Sequence, residues 1–163
     1  MARILIGVIG PGESATVEET LTAYALGQAI AEQGWGLLTG GRAVGVMAAA
    51  SEGAQASDGL VVGILPGTDV TQMSAAVDIA ILTGMGQGRN VLNVLSSHVV
   101  IACGLGSGTL SEMSLALKLG KPLVMLNIQS ELVDVLSTLA TTPIAIAPTV
   151  EAAIAQTQTF LSQ

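Results

Sequence analysis

A doubly wound α/β sandwich, built on a parallel sheet of about six or seven strands, is the fold class this sequence predicts. Two observations predict it. Half of the 163 residues are hydrophobic while only 2% are aromatic, so the core must be made of Ala, Val, Ile and Leu, the composition of strands buried on both faces. Short aliphatic runs then alternate with helix-periodic segments along the chain, an order that specifies parallel pairing through right-handed crossovers. With no linker, repeat or low-complexity segment, residues 1–163 are expected to form a single ligand-binding domain.

Each element has its own justification. Arg3 to Ile9 is an apolar run of strand length, closed by Gly10-Pro11-Gly12, which no helix interior tolerates. From Thr16 to Glu32, Leu21, Tyr24, Ala25, Ala29 and Ile30 recur at helical spacing, with Glu18 and Glu19 in the first turn, where the helix dipole favours acids; Gly34 ends that helix. Trp35 to Thr39 is a second strand leading into Gly40-Gly41, and Val44 to Gln55 an Ala-rich helix. Leu60 to Leu65 and Asp78 to Leu82 are the next strands. The loop Gly84 to Asn90 precedes a helix to about Ser97, then a strand from His98 to Cys103, a helix from Thr109 to Leu119 and a strand from Pro122 to Leu126. A helix near Glu131 to Ala140, a short strand at Ile144 to Ile146 and a helix from Thr149 follow.

Charge and cysteine content exclude several function classes. A formal charge of −7 with only five Lys and Arg argues against a nucleic-acid surface, which takes clustered cations. No apolar run approaches the roughly 18 residues of a membrane span, and no basic segment followed by an apolar one opens the chain. A single cysteine excludes an intramolecular disulfide and suggests a cytoplasmic setting. The charge-poor, aliphatic composition leaves apolar surface for a second subunit, so a homodimer or homotetramer is expected.

Three glycine-rich loops follow strands, and in doubly wound sheets the ligand crevice lies beyond the strand carboxyl ends. The segment Gly104-Leu-Gly-Ser-Gly-Thr-Leu-Ser-Glu112 reads as a strand end, a turn and the first turn of a helix, an arrangement that aims backbone N–H groups at an anion such as phosphate. The amides of Gly106, Ser107, Gly108 and Thr109, with the Ser107 and Thr109 hydroxyls, are the candidate cradle. It is not a Walker loop, since no Lys precedes Thr109, and Gly7 to Gly12 departs from the dinucleotide fingerprint. Thr39-Gly-Gly-Arg-Ala-Val-Gly45 is a second candidate wall, contributing Gly40, Gly41 and Arg42, and Gly10 and Pro11 belong to a third.

Two side chains carry alternatives. Glu112 could complete a capping box with Thr109 at the N-cap, or could face the crevice as a hydrogen-bond acceptor or base. Arg89, with its neighbour Asn90, follows three glycines in a loop expected to be mobile, and arginine suits bidentate phosphate binding. Cys103 reads as a small buried hydrophobe and His98 as structural. One His and one Cys do not make a protein metal site, so none is expected.

These residues resemble a known group. Leu26 to Met47, with Val62-Gly-Ile-Leu-Pro66 and Gly108-Thr-Leu-Ser-Glu112, look like the Lonely Guy family, labelled lysine-decarboxylase-like, over roughly residues 3 to 127. That resemblance implies a Rossmann-like fold and hydrolysis of the N-glycosidic bond of nucleoside 5′-monophosphates, cytokinin ribotides included, with Glu112 and Arg89 as catalytic residues. Departures stand at the family's Pro-Gly-Gly, here Gly104-Leu105-Gly106, at its Arg-Lys pair, here Arg89-Asn90, and at its glycine run, here Gly40-Gly41-Arg42. Gly-Gly-Arg-x-Val-Gly-Val-Met and Gly-x-Gly-Ser-Gly-Thr are closer to a related branch, the molybdenum cofactor carrier proteins. This second resemblance implies binding of molybdopterin by its phosphate, transfer without chemistry, and contact with proteins that make or use the cofactor. Carrier is the leading expectation and phosphoribohydrolase the alternative.

Overall fold

The computed structural model describes residues 3–163; Met1 and Ala2, part of the expected domain, lie outside the described residues. Strands β1 (Leu5–Ile9), β2 (Gly36–Thr39), β3 (Val61–Leu65), β4 (Ile79–Leu82), β5 (Val99–Cys103), β6 (Leu123–Leu126) and β7 (Ile144–Ala147) form one parallel sheet in the order β4-β3-β2-β1-β5-β6-β7. Between them run α1 (Val17–Glu32), α2 (Gly45–Ala56), α3 (Asn90–Ser96), α4 (Ser107–Lys118), α5 (Ser130–Leu139) and α6 (Val150–Leu161). The doubly wound single sheet expected from the sequence is present, with every strand and helix of that reading in place.

Strand composition explains the layering. The inner strands β2, β3, β5 and β6 are buried along their whole length, so both faces of their Val, Leu and Ile side chains are covered. On one face, Ile6, Val8, Leu37, Ile101 and Val124 pack with Leu26 and Ile30 of α1, Val46 and Ala50 of α2, and Ile154 of α6. On the other, Val100, Ala102, Leu123 and Met125 pack with Val94 of α3, Met113 and Ala116 of α4 and Leu136 of α5. Each buried Val, Leu, Ile or Met among them contributes about 1.5–3 kcal/mol by leaving water. No helix joins β3 to β4, and over Leu38, Val62 and Ile64 the cover is thinner, supplied by Leu5, Leu60 and Leu92.

Strand order reverses between β1 and β5, which pair from Ile6 with Val99 to Ile9 with Ala102. The loops leaving these two strands, Gly10-Pro11-Gly12 and Gly104-Leu105-Gly106, therefore flank the switch point, where the crevice of such a sheet opens.

Two local expectations are corrected. The chain leaves β5 through Gly104, whose φ of +80° is open to glycine and costly to other residues, and enters α4 already at Ser107. Gly106 is consequently the N-cap, Thr109 lies inside the first turn, and the Thr109–Glu112 capping box does not form. The same Thr-x-x-Glu signature does cap α1: Thr16 Oγ1 accepts from Glu19 N–H at 3.1 Å and Glu19 Oε2 accepts from Thr16 N–H at 2.8 Å. The second correction concerns Arg89. It ends a 3-10 turn, Gly86–Arg89, which runs directly into α3, and at 7% exposure it is a buried residue and not the tip of a loop.

Candidate crevice at the switch point

The three glycine-rich loops converge on one crevice of about 470 Å³. The loop after β1 supplies Gly10 and Pro11, the loop after β2 Gly40 and Arg42, and the start of α4 Gly106, Ser107, Gly108 and Thr109. Arg89, Asn90 and Glu112 complete the set. Of the candidate crevice residues, Gly41 alone is elsewhere: its Cα lies against Gly63 of β3, and its N–H donates to Thr39 Oγ1 at 3.0 Å.

Helix α4 reaches this crevice with its N-terminus bare. Thr16 and Thr149 cap α1 and α6 with their side chains; the N-caps of α2, α3 and α5 make no such bond, and Gly106 of α4 has no side chain to offer one. The first N–H groups of a helix have no intrahelical acceptor, and together with the helix dipole they attract negative charge.

Arg89 is held beside this end by the absence of a side chain. A Cβ at Gly40 would collide with the guanidinium, on Nη1, Nη2 and Cζ, so only glycine leaves room for the arginine. Among the described residues the single ion pair is Arg42 Nη2 with Glu13 Oε1, at 2.6 Å across the crevice mouth, and Arg89 has no carboxylate at that range. Burial lowers the proton affinity of the Arg89 guanidinium, the nearby Glu112 opposes this, and Arg42 adds to it. An arginine so placed remains cationic at neutral pH.

Glu112 turns inward from α4. At 7% exposure its Oε1 accepts a hydrogen bond from Asn93 Nδ2 at 3.1 Å. Burial raises the carboxyl above the ordinary carboxylate range, and the Asn93 bond and the Arg89 charge only partly offset it. The crevice thus pairs a carboxyl whose proton affinity is raised by burial with a cation that has no ion-pair partner among the described residues.

Orphaned polar atoms concentrate here. Five buried side-chain polar atoms lack a partner among the described residues, and four belong to crevice residues: Arg42 Nε, Arg89 Nε, Asn93 Oδ1 and Thr109 Oγ1. Leaving such an atom unsatisfied costs about 1–3 kcal/mol, so a cluster of them fits a polar ligand that supplies the missing partners.

Sequence reading missed Asn93 and Glu13. Asn93 lies three residues beyond Asn90, the spacing that puts both on one face of α3, and that periodicity was the available signal. Glu13 carried none, since its role depends on the separation of two loops. His98 is structural, with Nδ1 accepting from Leu5 N–H at 3.1 Å. Burial pushes the Cys103 thiol up to about 12, as suits an inert core position. No group of three His, Cys, Asp or Glu that could hold a metal ion occurs among the described residues, and no helix there is long and apolar enough to cross a membrane.

A doubly wound sheet with an uncapped helix N-terminus and a buried arginine that has no ion-pair partner among the described residues defines an α/β protein with a polar crevice at its switch point. The SLOG cluster4 family matches residues 3–154, and the chain belongs to it. The structure of the molybdenum cofactor binding protein of the phototrophic bacterium Rippkaea orientalis is similar, with a TM-score of 0.96 and 50% identity over 99% of each chain. So is the molybdenum cofactor carrier protein of Chlamydomonas reinhardtii, with a TM-score of 0.94 and 42% identity over 99% of this chain and 100% of that one. A protein of Archaeoglobus fulgidus is 48% identical over 122 residues, 74% of this chain and 78% of its own.

Proposed function

We propose that this protein binds the molybdenum cofactor, holds it by its terminal phosphate and passes it on without chemistry. The observation that carries the reading is the cluster of four orphaned polar atoms in a crevice floored by a bare helix end. The solved relatives at 42–50% identity, a cofactor binding protein and a cofactor carrier, support the same ligand. In this reading the amides of Ser107 to Thr109 take the phosphate, Arg89 and Arg42 neutralise it, and Gly10, Pro11, Gly40, Asn90 and Gly106 shape the walls. Glu112 meets the ring system as a hydrogen-bonding partner. Gly41 supports the loop from behind. The metal arrives on its own organic ligand, and the protein's part is to bind, orient and shield.

A single compact unit exchanging cargo with proteins that synthesise or use the cofactor, in the cytoplasm and as a homodimer or homotetramer, completes the proposal. Exposed Ile79, Ile81 and Leu82 on the edge strand support self-association, and the free cysteine suits a reducing compartment.

The test is anaerobic loading with molybdenum cofactor, followed by gel filtration and a time course of cofactor oxidation on exposure to air. Co-elution and slowed oxidation are expected, together with no release of free base from AMP or a cytokinin ribotide. Failure to retain the cofactor overturns the reading. Ribotide hydrolysis abolished by Glu112→Gln overturns the statement that it acts without chemistry.

A further inference from the structure

The unmet hydrogen bonds of the crevice are of two kinds. Arg42 Nε and Arg89 Nε are donors without acceptors, whereas Asn93 Oδ1 is an acceptor without a donor; the Thr109 hydroxyl can serve either way. A phosphate monoester near neutral pH is almost wholly an acceptor, so it answers the arginines and leaves Asn93 unanswered. A ligand that satisfies the whole crevice therefore brings N–H groups of its own, at a place set by Asn93.

One hydrogen bond defines that place. Asn93 Nδ2 donates to Glu112 Oε1 at 3.1 Å, which commits the amide nitrogen to the carboxyl and turns the amide oxygen away from it. The reversed amide would set its oxygen against an ionised carboxylate. Both side chains are buried, at 3% and 7% exposure, and both line the crevice. Glu112 has no ion-pair partner among the described residues, and its one hydrogen bond there is on Oε1, which leaves Oε2 free. The linked pair thus carries two neighbouring acceptors. A second anionic group beside them would be repelled by Glu112, and a ring edge bearing only acceptors would leave both oxygens unsatisfied. Two adjacent N–H donors are the complement, as on the edge of a 2-amino-4-oxopyrimidine ring. Val8, Ile9, Pro11 and Met47 add apolar surface to the same crevice, against which a flat ring can lie.

We infer that Asn93 and Glu112 form a specificity pair that selects ligands whose ring carries a 2-amino-4-oxopyrimidine edge, the edge a pterin presents. The inference rests on the proposed function, which supplies the phosphate end of the ligand, and adds the recognition of its ring end. Asn93 Oδ1 and Glu112 Oε2 accept from the amino group and the adjacent ring N–H, while Asn93 Nδ2 holds Glu112 in position.

The probes are 6-hydroxymethylpterin monophosphate and its lumazine counterpart, which has an oxo group in place of the 2-amino group and so sets an acceptor against the pair. Each is titrated by its own fluorescence against wild type, Asn93→Leu and Glu112→Gln. Wild type is expected to bind the pterin probe roughly 10- to 100-fold tighter than the lumazine probe, as the loss of a hydrogen bond to a charged acceptor implies. Asn93→Leu should lose that preference. Glu112→Gln, nearly the same in shape, should lose or reverse it, because an amide N–H2 can take the place of a carboxyl oxygen. Each preference is a ratio within one protein, so a general loss of stability does not create or remove it. Equal affinities in wild type, a preference that survives in either variant, or no binding of the pterin probe by protein that retains the molybdenum cofactor overturns the pair and leaves the carrier reading standing. Preference for the pterin probe without retention of the cofactor overturns the carrier reading and leaves the pair. If wild type binds neither the pterin probe nor the cofactor, both fall.

Discussion

The arginine of the crevice can be displaced without being touched. In Gly40→Ala the new Cβ would occupy the place now filled by the Arg89 guanidinium, three of whose atoms it would overlap. Backbone conformation is not the obstacle, because Gly40 lies outside the left-handed region. Since the overlapping atoms are the far end of a flexible side chain, Arg89 can yield by rotating. That flexibility sets the folding cost near the low end of the ~1–3 kcal/mol typical of overpacking, and burial of Arg89 keeps it from vanishing. Binding should suffer more. A hydrogen bond from a charged donor contributes about 1.5–3 kcal/mol, and its loss weakens anion affinity roughly 10- to 100-fold. Calorimetric titration with the molybdenum cofactor monophosphate reads the affinity, and thermal unfolding of the free protein reads the stability. Arg89→Met serves as the reference for complete removal of the cation. Gly40→Ala should follow Arg89→Met in binding while losing no more than about 1 kcal/mol of stability. Wild-type affinity in Gly40→Ala would refute the placement of Arg89 as a ligand contact, and global unfolding would refute the statement that it can yield.

Further outcomes follow from the same geometry. Glu112 holds its proton more tightly folded than unfolded, so its contribution to stability is complete below the ordinary carboxylate range and declines as pH rises through its elevated folded value. Glu112→Gln should remove that decline and raise the melting temperature at neutral pH, checked by melting curves across acidic to neutral buffers. Asn93→Leu strips the carboxylate of its donor and should cost about 1–3 kcal/mol in urea unfolding, with a steeper loss toward neutral pH. Thr16→Ala should cost about 1 kcal/mol, since one hydroxyl anchors the whole capping box of α1, and should leave ligand affinity unchanged. Glu13→Gln frees Arg42 and should tighten anion binding with little change in melting temperature, because the pair sits at the exposed crevice mouth.

Most of the sheet was legible because its information is local. A run such as Val99 to Cys103, apolar at every position, admits one reading when glycines close it and helical periodicity follows. The convergence of three loops also followed, since parallel strands put all their carboxyl ends on one edge. The failures share a different cause. Thr16-Val-Glu-Glu19 and Thr109-Leu-Ser-Glu112 carry the same capping signature, yet only the first caps, because Gly104 turns the chain early enough for α4 to begin at Ser107. Arg89 followed enough glycine to suggest mobility, and its burial depends on the missing side chain of Gly40, on another strand's loop. Asn93 and Glu112, nineteen residues apart, meet only when α3 and α4 pack side by side. Long-range pairing of this sort has no signature in one sequence.

The bare end of α4 also bears on how long each molecule lasts. A helix terminus that no side chain closes is a permanent weakness of the empty protein, and an anion that closes it adds its own binding free energy to folding. At a hundredfold excess of ligand over its dissociation constant, that amounts to about 2.7 kcal/mol. Unfolded fractions feed aggregation and proteolysis, so such a difference separates filled from empty copies by turnover. When cargo is scarce, the pool of protein would shrink with it, and abundance would follow supply with no dedicated regulator.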